Sequence, residues 1–248
     1  MQEENILQGK VVLVTGAGSG LGAATAHAFA AAGCEIVCVD INQAALEQVC
    51  QALREQGTAC LALPCDIKNA TAVSEVTQSA GAWAGHLDIL VNCAAIDYTY
   101  SVEEMSVEQW DQELAVNLRG PFLFAKAVFP WMKRQGGGHI FNIASTAAVR
   151  AWANASAYHA SKWGVLGFSR GLSVEGRAHG IRVTTIIPGG MQTHFFDRFV
   201  EQGIPLPDPQ NLQDPTTVAE TMVFAAQLPA SSALQELMIT PINETSWP

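Results

Sequence analysis

The sequence predicts a protein of the α/β class, and three observations carry that prediction. Short apolar runs alternate along the chain with longer segments that carry Ala, Leu and Val at helical spacing. The short runs are almost continuously apolar, which is typical of strands covered on both faces. The chain has 248 residues, 49% of them hydrophobic, which is enough for one large core. We therefore expect a doubly wound parallel sheet of about seven strands, with helices on both faces.

Seven runs have the composition of buried strands. They cover residues 11–15, 35–40, 59–65, 87–93, 139–145, 181–188 and 234–240. The helical segments after the first three runs end near Gly33, Gly57 and Gly85, and glycine is common just past a helix C-terminus. The Pro-rich stretch 203–215 predicts an irregular insertion rather than a domain boundary. We expect a single domain over residues 1–248, with a loop at about 189–215.

Charge and hydropathy exclude several classes of function. The formal net charge is −10 and no run of Lys or Arg occurs, which argues against nucleic acid and anionic membranes as partners. The first ten residues lack the basic and apolar regions of a signal peptide. The sequence contains no stretch of about 18 uninterrupted apolar residues, so we expect no membrane span. We expect a cytoplasmic protein.

The six cysteines are consistent with that compartment. None of them forms a C-x-x-C pair, and most lie in apolar runs. We interpret them as reduced core thiols rather than as disulfide partners or zinc ligands, and we expect no metal site. They are Cys34, Cys38, Cys50, Cys60, Cys65 and Cys93.

The segment TGAGSGLG, residues 15–22, follows the first predicted strand and begins the first helix. Glycines let such a turn tighten, and they let backbone amides approach a pyrophosphate at the positive end of the helix. Strand, turn and helix in this order favour dinucleotide binding. The contacts expected here are Gly16, Ser19, Gly20, Leu21 and Gly22.

Two carboxylates end the next two strands. Asp40, 18 residues beyond Gly22, is placed to accept hydrogen bonds from the adenosine ribose and to repel a 2′-phosphate, which favours NAD over NADP. Asp66 is expected to contact the adenine amino group. Each carboxylate could instead cap the helix that follows it. The residues after them, Ile41 and Ile67, belong to the same predicted cofactor site.

Tyr158 and Lys162 are four residues apart in a segment that should be helical, so they share one face. Ser145 precedes Tyr158 by thirteen residues, at the end of the fifth predicted strand. Ligands bind at that edge of an open parallel sheet. An exposed aromatic beside a snorkelling lysine is the ordinary reading of such a pair, and the other motifs argue against it here.

These motifs, in this order, resemble those of the short-chain dehydrogenase/reductase family, which has a Rossmann-type fold. YHASK is similar to its Tyr-x-x-x-Lys, and NLRG, which contains Asn117, to its fourth catalytic position. PGGMQT (188–193) is similar to its stretch beside the nicotinamide, whereas its Asn-Asn-Ala-Gly motif reads Asn-Cys-Ala-Ala at 92–95. The resemblance implies cofactor contacts at Asn92, Ala94, Pro188, Gly189, Met191 and Thr193, besides Tyr158 and Lys162.

The chemistry of these residues fits hydride transfer at a carbinol carbon. Such a transfer requires a proton to move at the oxygen, and a free tyrosine has a pKa near 10, too high for an efficient base. A nearby ammonium favours the phenolate, so we expect Tyr158 as the acid/base and Lys162 as the group that lowers its pKa and holds the nicotinamide ribose. Ser145 would hydrogen-bond the substrate oxygen. By resemblance, Asn117 would anchor a water that relays the proton.

The resemblance also implies where the substrate binds. The enclosing residues would follow the fourth strand, Ser145 and Pro188, the last group in a substrate loop at about 189–215. This set is mainly apolar and aromatic and favours a hydrophobic alcohol or ketone, although the aromatic residues could be lid packing. Asp97 and Arg150 belong to the same segments. The predicted pocket residues are Ile96, Tyr98, Val149, Trp152, His194, Phe195 and Phe196.

Two other functions remain open, and two apolar segments predict the oligomeric state. A 3-oxoacyl-type reductase would perform the same chemistry on another substrate, and a non-catalytic dinucleotide-sensing protein would share the fold. The segments 122–132 and 157–176 are apolar beyond what covering a sheet needs, which marks an interface. By resemblance these two helices form a dimer contact within a tetramer, so we expect a homotetramer.

Overall fold

A computed structural model describes residues 5–244, and the ends of the predicted domain, 1–4 and 245–248, lie outside the described residues. Within residues 5–244 seven parallel strands form one sheet in the order β3-β2-β1-β4-β5-β6-β7. This confirms the predicted fold class. The strands are β1 (Val11–Thr15), β2 (Glu35–Asp40), β3 (Cys60–Pro64), β4 (Ile89–Asn92), β5 (Gly138–Ile143), β6 (Ile181–Pro188) and β7 (Glu236–Ile239).

Helices connect the strands and cover both faces of the sheet. They are α1 (Gly20–Ala31), α2 (Gln43–Glu55), α3 (Ala70–Ala84), α4 (Val107–Leu114), α5 (Gly120–Arg134), α6 (Ser156–Gly176), α7 (Asp197–Glu201) and α8 (Pro215–Gln227). A π-helical segment, Ala115–Arg119, joins α4 to α5. None of the helices in residues 5–244 is long and apolar enough to cross a membrane.

The side chains of most strands alternate between two hydrophobic cores, whereas the edge strand β7 packs against one core only and its Met238 is 39% exposed. Val12 and Val14 of β1 pack in the core that contains Phe29 of α1 and residues of α2 and α8. Val11 and Leu13 pack in the opposite core, with residues of α3, α5 and α6. Burial on both faces explains why the strands read as continuous apolar runs rather than as alternating ones.

The helices begin and end as their residue types dictate. Asn42 caps α2 and Asn69 caps α3, each through its side-chain oxygen, so neither Asp40 nor Asp66 is the capping residue. Ser106 begins α4 in a capping box with Gln109. Gly85, at φ +81°, ends α3 in the left-handed conformation that glycine adopts without strain.

The expected irregular insertion is only partly irregular. The short helix α7 lies before it, a 3₁₀ turn forms at Pro209–Asn211, and a bridge between Met191 and Gln213 closes the segment. Proline can begin a short helical turn because its φ angle is already close to the helical value. The Pro-rich composition alone therefore did not predict the 3₁₀ turn. Of the strands, β3, β4, β5 and β7 are shorter than predicted, since their ends leave the hydrogen-bonded ladder.

The six cysteines are unpaired thiols in the described part of the chain, as predicted, and all but Cys93 are buried. The sulfur atoms of Cys38, Cys50 and Cys60 lie within 4.8 Å of one another, with 2.7 Å between those of Cys50 and Cys60. These residues come from β2, α2 and β3, so no sequence spacing could have shown that they meet.

Candidate active site

A cavity of about 760 Å³ opens at the carboxyl ends of the strands. The sheet order reverses between β1 and β4 there, which is where ligands bind in open α/β sheets. We call its two walls the turn side and the tyrosine side. The turn side comprises residues 16, 19–22, 40, 41 and 65–68, and the tyrosine side comprises 93–97, 112, 116, 143–146, 150, 152, 158, 162, 188–191, 193–196 and 198.

The glycine turn packs so closely that side chains would not fit. Gly16 has φ +69°, and a Cβ there would lie 2.8 Å from the Cα of Ala94. A Cβ at Gly22 would overlap the carbonyl oxygen of Gly16. Gly16, Ser19, Gly20, Leu21 and Gly22 all line the cavity at the start of α1. The turn therefore presents backbone at the positive end of a helix, the cradle that a pyrophosphate requires.

Asp40 is fixed by the turn that it faces. Its Oδ2 accepts a hydrogen bond from the Gly18 amide at 2.9 Å, and its Oδ1 accepts one from the Asn42 amide at 2.9 Å. Ile41 beside it is 70% exposed, and both residues line the cavity. A carboxylate has about four acceptor positions, so a ribose can still bind to this one.

Asp66 and Ile67 line the same wall at the end of β3. Asp66 accepts from the Lys68 amide at 3.0 Å, and its Oδ2 lies 3.6 Å from the Lys68 ammonium. The structure therefore places both predicted carboxylates beside the glycine turn, where the adenosine end of a dinucleotide would lie.

Three of the four predicted catalytic side chains meet on the tyrosine side, and the fourth, Asn117, lies outside the cavity wall. Ser145 follows β5 in an extended conformation, and Tyr158 and Lys162 lie one turn apart on α6. The Lys162 ammonium lies 5.5 Å from the centre of the Tyr158 ring and donates to the carbonyl oxygen of Ile143 at 2.9 Å. All three line the cavity.

Burial changes the protonation of this pair. Burial raises the pKa of Tyr158 above its ordinary value, the negative charge of Asp97 raises it further, and a hydrogen bond from Ser145 partly opposes them. Burial also lowers the pKa of Lys162 to about 8. In the chain alone the pKa of Tyr158 is therefore raised and not lowered, because desolvation of the phenolate is the largest effect. The lowering by Lys162 beside a bound nicotinamide stays a prediction.

Asn117 lies in the π-helical segment, where it is 1% exposed. Its amide side chain binds both the amide and the carbonyl of Ile96, each at 2.8 Å, and donates to the Ser161 hydroxyl at 3.1 Å. Asn117 therefore ties the segment after β4 to the helix that carries Tyr158 and Lys162.

Some predicted residues lie elsewhere within the described part of the chain. Asn92 is 3% exposed and donates to the Asn142 side chain at 2.8 Å, so it joins β4 to β5 and lies outside the cavity wall. Tyr98 lies under the Arg198 guanidinium, 4.8 Å from its ring centre, and Val149 packs against a small core; neither is in the wall. The remaining cofactor and pocket predictions line it: Ala94, Ile96, Trp152, Pro188, Gly189, Met191, Thr193, His194, Phe195 and Phe196.

Side-chain contacts hold the segments of the tyrosine side together. His159 bonds the carbonyl of Ala147 at 2.9 Å and accepts from the Trp152 amide at 3.1 Å. Arg150 forms an ion pair with Glu244. Phe195 packs on Tyr158 with ring centres 5.6 Å apart.

Several wall residues were not predicted from the sequence, among them Gln112, Val116 and Arg198. Gln112 and Val116, one turn apart in WDQELAVN, could have been found from their helical spacing ahead of Asn117. Arg198 could not, because it reaches the cavity from α7, where its guanidinium donates to the carbonyl of Asp97 at 3.2 Å.

The family model described as short chain dehydrogenase matches residues 10–203. The chain is 43% identical to D-threitol dehydrogenase of Mycolicibacterium smegmatis over 182 residues, 73% of this chain and 70% of that protein. It is 38% identical to a probable galactose dehydrogenase of Rhizobium meliloti over 188 residues, 75% of this chain and 73% of that protein.

Solved structures share the whole architecture. An alcohol dehydrogenase from the archaeon Thermococcus sibiricus, complexed with 5-hydroxy-NADP, superimposes with a TM-score of 0.88 at 26% identity, over 97% of this chain and all of that chain. A putative short-chain dehydrogenase/reductase from Burkholderia xenovorans superimposes with a TM-score of 0.85 at 32% identity, over 95% of this chain and 96% of that chain.

Proposed function

The chain belongs to the short-chain dehydrogenase family, and we propose on that basis that it transfers a hydride between NAD(H) and a secondary alcohol or ketone. The observation that carries the proposal is the meeting of Ser145, Tyr158 and Lys162 in the cavity that the glycine turn also lines. A nicotinamide dinucleotide, when bound, supplies the hydride acceptor or donor.

The residues of the tyrosine side would move the proton and orient the substrate. The Tyr158 phenol, protonated in the chain alone, gives a proton to the substrate oxygen during reduction and takes it back during oxidation. The Ser145 hydroxyl binds the same oxygen and stabilises the charge that develops there. The buried Lys162 ammonium favours the phenolate, and Asn117 keeps the segment after β4 in place and anchors the relay water.

The residues of the turn side would hold the cofactor. Gly16, Gly20 and Gly22 present backbone to the pyrophosphate, and Asp40 accepts the ribose hydroxyls. The negative charge of Asp40 would repel a 2′-phosphate, and this supports NAD over NADP. Two similar structures carry NADP-type ligands, the archaeal alcohol dehydrogenase and a metagenomic short-chain oxidoreductase in complex with NADP, so cofactor preference needs its own measurement.

The test is an assay of secondary alcohols and ketones with NAD(H) and NADP(H), following the absorbance of the reduced nicotinamide. Turnover of non-carrier alcohols with NAD supports the proposal. Turnover confined to carrier-linked 3-oxoacyl groups would select that reductase instead, and cofactor binding without any turnover would select a dinucleotide-sensing protein.

We further propose a homotetramer in the cytoplasm. Phe122 of α5 is 45% exposed and Trp163 of α6 is 53% exposed, in keeping with an interface formed by these helices. The unpaired thiols of the described residues support a reducing compartment. Light scattering at micromolar concentration tests the assembly, and a monomer mass rejects it.

A further inference from the structure

Asp97 is a buried carboxylate in the wall of the cavity, 9% exposed. Its Oδ2 accepts a hydrogen bond from the Thr99 hydroxyl at 2.9 Å, whereas its Oδ1 has no hydrogen-bond partner within residues 5–244. A carboxylate can accept about four hydrogen bonds, and a buried one that lacks them destabilises the protein. Asp97 therefore has acceptor capacity that the described part of the chain leaves unused.

Glu113 of α4 makes this arrangement unusual. It is fully buried, its Oε2 accepts from the Tyr98 amide at 3.1 Å, and its Oε1 also has no partner within the described residues. Burial, together with the charge of Asp97, raises the pKa of Glu113 to about 8. Glu113 is thus mostly protonated at neutral pH.

Burial raises the pKa of Asp97 above its ordinary value. The hydrogen bond from Thr99 and the positive charges of Arg198, His159 and Lys162 partly oppose that effect. Asp97 and Tyr158 line the same cavity, and the charge of Asp97 contributes to the raised pKa of the phenol. A substrate bound at Tyr158 would therefore share the cavity with the Asp97 carboxylate.

We propose that Asp97 accepts a hydrogen bond from a second hydroxyl group of the substrate, close to the reacting carbon, so that the substrate is a diol or larger polyol. The inference rests on the proposed function. It replaces the expected hydrophobic substrate, because Phe195 and Phe196 form only part of the wall and Asp97 and Arg198 form another part. The names of the threitol and galactose dehydrogenase relatives accord with it.

The first experiment uses the wild-type protein and needs no variant. It compares kcat/KM at saturating NAD for butane-2,3-diol and for 3-fluorobutan-2-ol, in which fluorine is close in size to the second hydroxyl group but cannot donate a hydrogen bond. We expect the diol to be preferred by about ten- to hundredfold, the effect of one hydrogen bond to a charged group. A ratio below about threefold overturns the inference, even where the aspartate variant fails to fold.

The second experiment repeats the comparison of the two substrates with the Asp97→Asn variant. Glu103→Gln, which removes one negative charge from an exposed position of the same loop, is the matched control. We expect Asp97→Asn to reduce the preference for the diol to within a few fold and to leave NAD affinity unchanged, and Glu103→Gln to keep the preference. An unchanged preference in Asp97→Asn overturns the inference.

A third substrate separates hydroxyl from ammonium recognition, since a carboxylate binds both. If wild type prefers 3-aminobutan-2-ol over the diol and Asp97→Asn abolishes that preference, Asp97 binds an amine and the polyol inference is wrong. Absence of turnover with every alcohol and ketone would overturn the proposed function as well. Turnover of simple alcohols without discrimination by the second hydroxyl would overturn this inference alone.

Discussion

The turn side of the cavity is built from local sequence, and the tyrosine side is built from segments that are distant in sequence. On the turn side, eight consecutive residues form the glycine turn, and Asp40 is tied to it through the Gly18 amide at 2.9 Å. On the tyrosine side, His159 holds the loop after Ser145, and Arg198 holds the segment after β4. The first wall is mainly backbone, and the second is mainly side chains.

This difference indicates that cofactor binding is the constant part of the function and that substrate choice is the part that can vary. A backbone cradle depends on glycine at a few positions and binds the part of a ligand that many reactions share. A wall of side chains from three segments can change one residue at a time, so substrate choice can change without loss of cofactor binding. The comparison predicts that substitutions on the turn side leave the choice of alcohol intact, and that substitutions of substrate-facing side chains on the tyrosine side leave cofactor binding intact.

The largest effect is expected from Tyr158→Phe, which removes the transferable proton and keeps the ring. Turnover should fall at least about a hundredfold, because proton transfer at the substrate oxygen loses its donor. The dissociation constant for NADH, measured by fluorescence titration, should stay within about twofold. Tyr100→Phe, a change outside the cavity wall of the described residues, is the control. A Tyr158→Phe protein that retains most of its turnover would remove this residue from the mechanism.

The next effect concerns Asp40→Ala on the turn side. Wild type should prefer NAD over NADP by at least about a hundredfold in kcat/KM, since the carboxylate repels the 2′-phosphate and binds the ribose. The substitution should collapse that ratio, mainly by lowering the use of NAD. The ratio of kcat/KM values for two different alcohols with NAD should not change, because the tyrosine side is untouched.

A full change of cofactor preference from NAD to NADP also needs a cation that binds the 2′-phosphate. The structure shows which position can hold that cation. Ile41 is 70% exposed beside Asp40, whereas Ala17 is fully buried, so Ile41→Arg and not Ala17→Arg should complete the change in the Asp40→Ala background. Steady-state kinetics with both cofactors measure the result. Wild-type preference for NADP would show that the assignment of Asp40 to the ribose is wrong.

The same comparison explains what the sequence could predict. The strands were found from continuous apolar runs, and Gly16, Gly22 and Asp40 were found because their roles depend on local spacing. The closeness of Tyr158 and Lys162 follows from one helical turn. Each of these features depends on residues that are close together in the sequence, so it can be predicted from one sequence alone.

The tyrosine side could not be predicted in the same way. Asn92 was assigned to the cofactor by resemblance, yet its side chain bonds Asn142 in the neighbouring strand. Arg198 and Glu113 reach Asp97 from two helices whose packing no spacing reveals. Burial, with a smaller contribution from the charge of Asp97, raises the pKa of Tyr158 where a lowered one was expected, and burial depends on tertiary structure.

A third prediction concerns the pH dependence of stability on the tyrosine side. The pKa of Glu113 is raised to about 8 in the folded protein, from near 4.5 in an unfolded chain. The folded state therefore binds more protons between these values, and stability falls as the pH rises through 8. Glu113→Gln removes this dependence while keeping the size of the side chain.

Urea denaturation at pH 5.5 and 8.5 measures that dependence. The stability of Glu113→Gln relative to wild type should increase between these pH values by more than about 1 kcal/mol. Glu103→Gln, which removes an exposed carboxylate, should show no such change. Parallel pH profiles of Glu113→Gln and wild type would show that Glu113 is ionised in the folded protein.

The smallest effect is expected from Phe195→Ala. Phe195 packs on Tyr158 with ring centres 5.6 Å apart, and it shares a small core with Ala147 and Ala155. Its removal exposes one face of the tyrosine to water and loosens the substrate loop, without touching the proton donor or the glycine turn. We expect kcat/KM for the alcohol to fall about three- to tenfold, mainly through KM, and NADH affinity to stay within about twofold. Val200→Ala, at a 63% exposed position of α7, is the control and should change neither constant. An equal loss of NADH affinity in Phe195→Ala would show that the two sides are coupled through the segment 190–198, and the separation of the two walls would then be wrong.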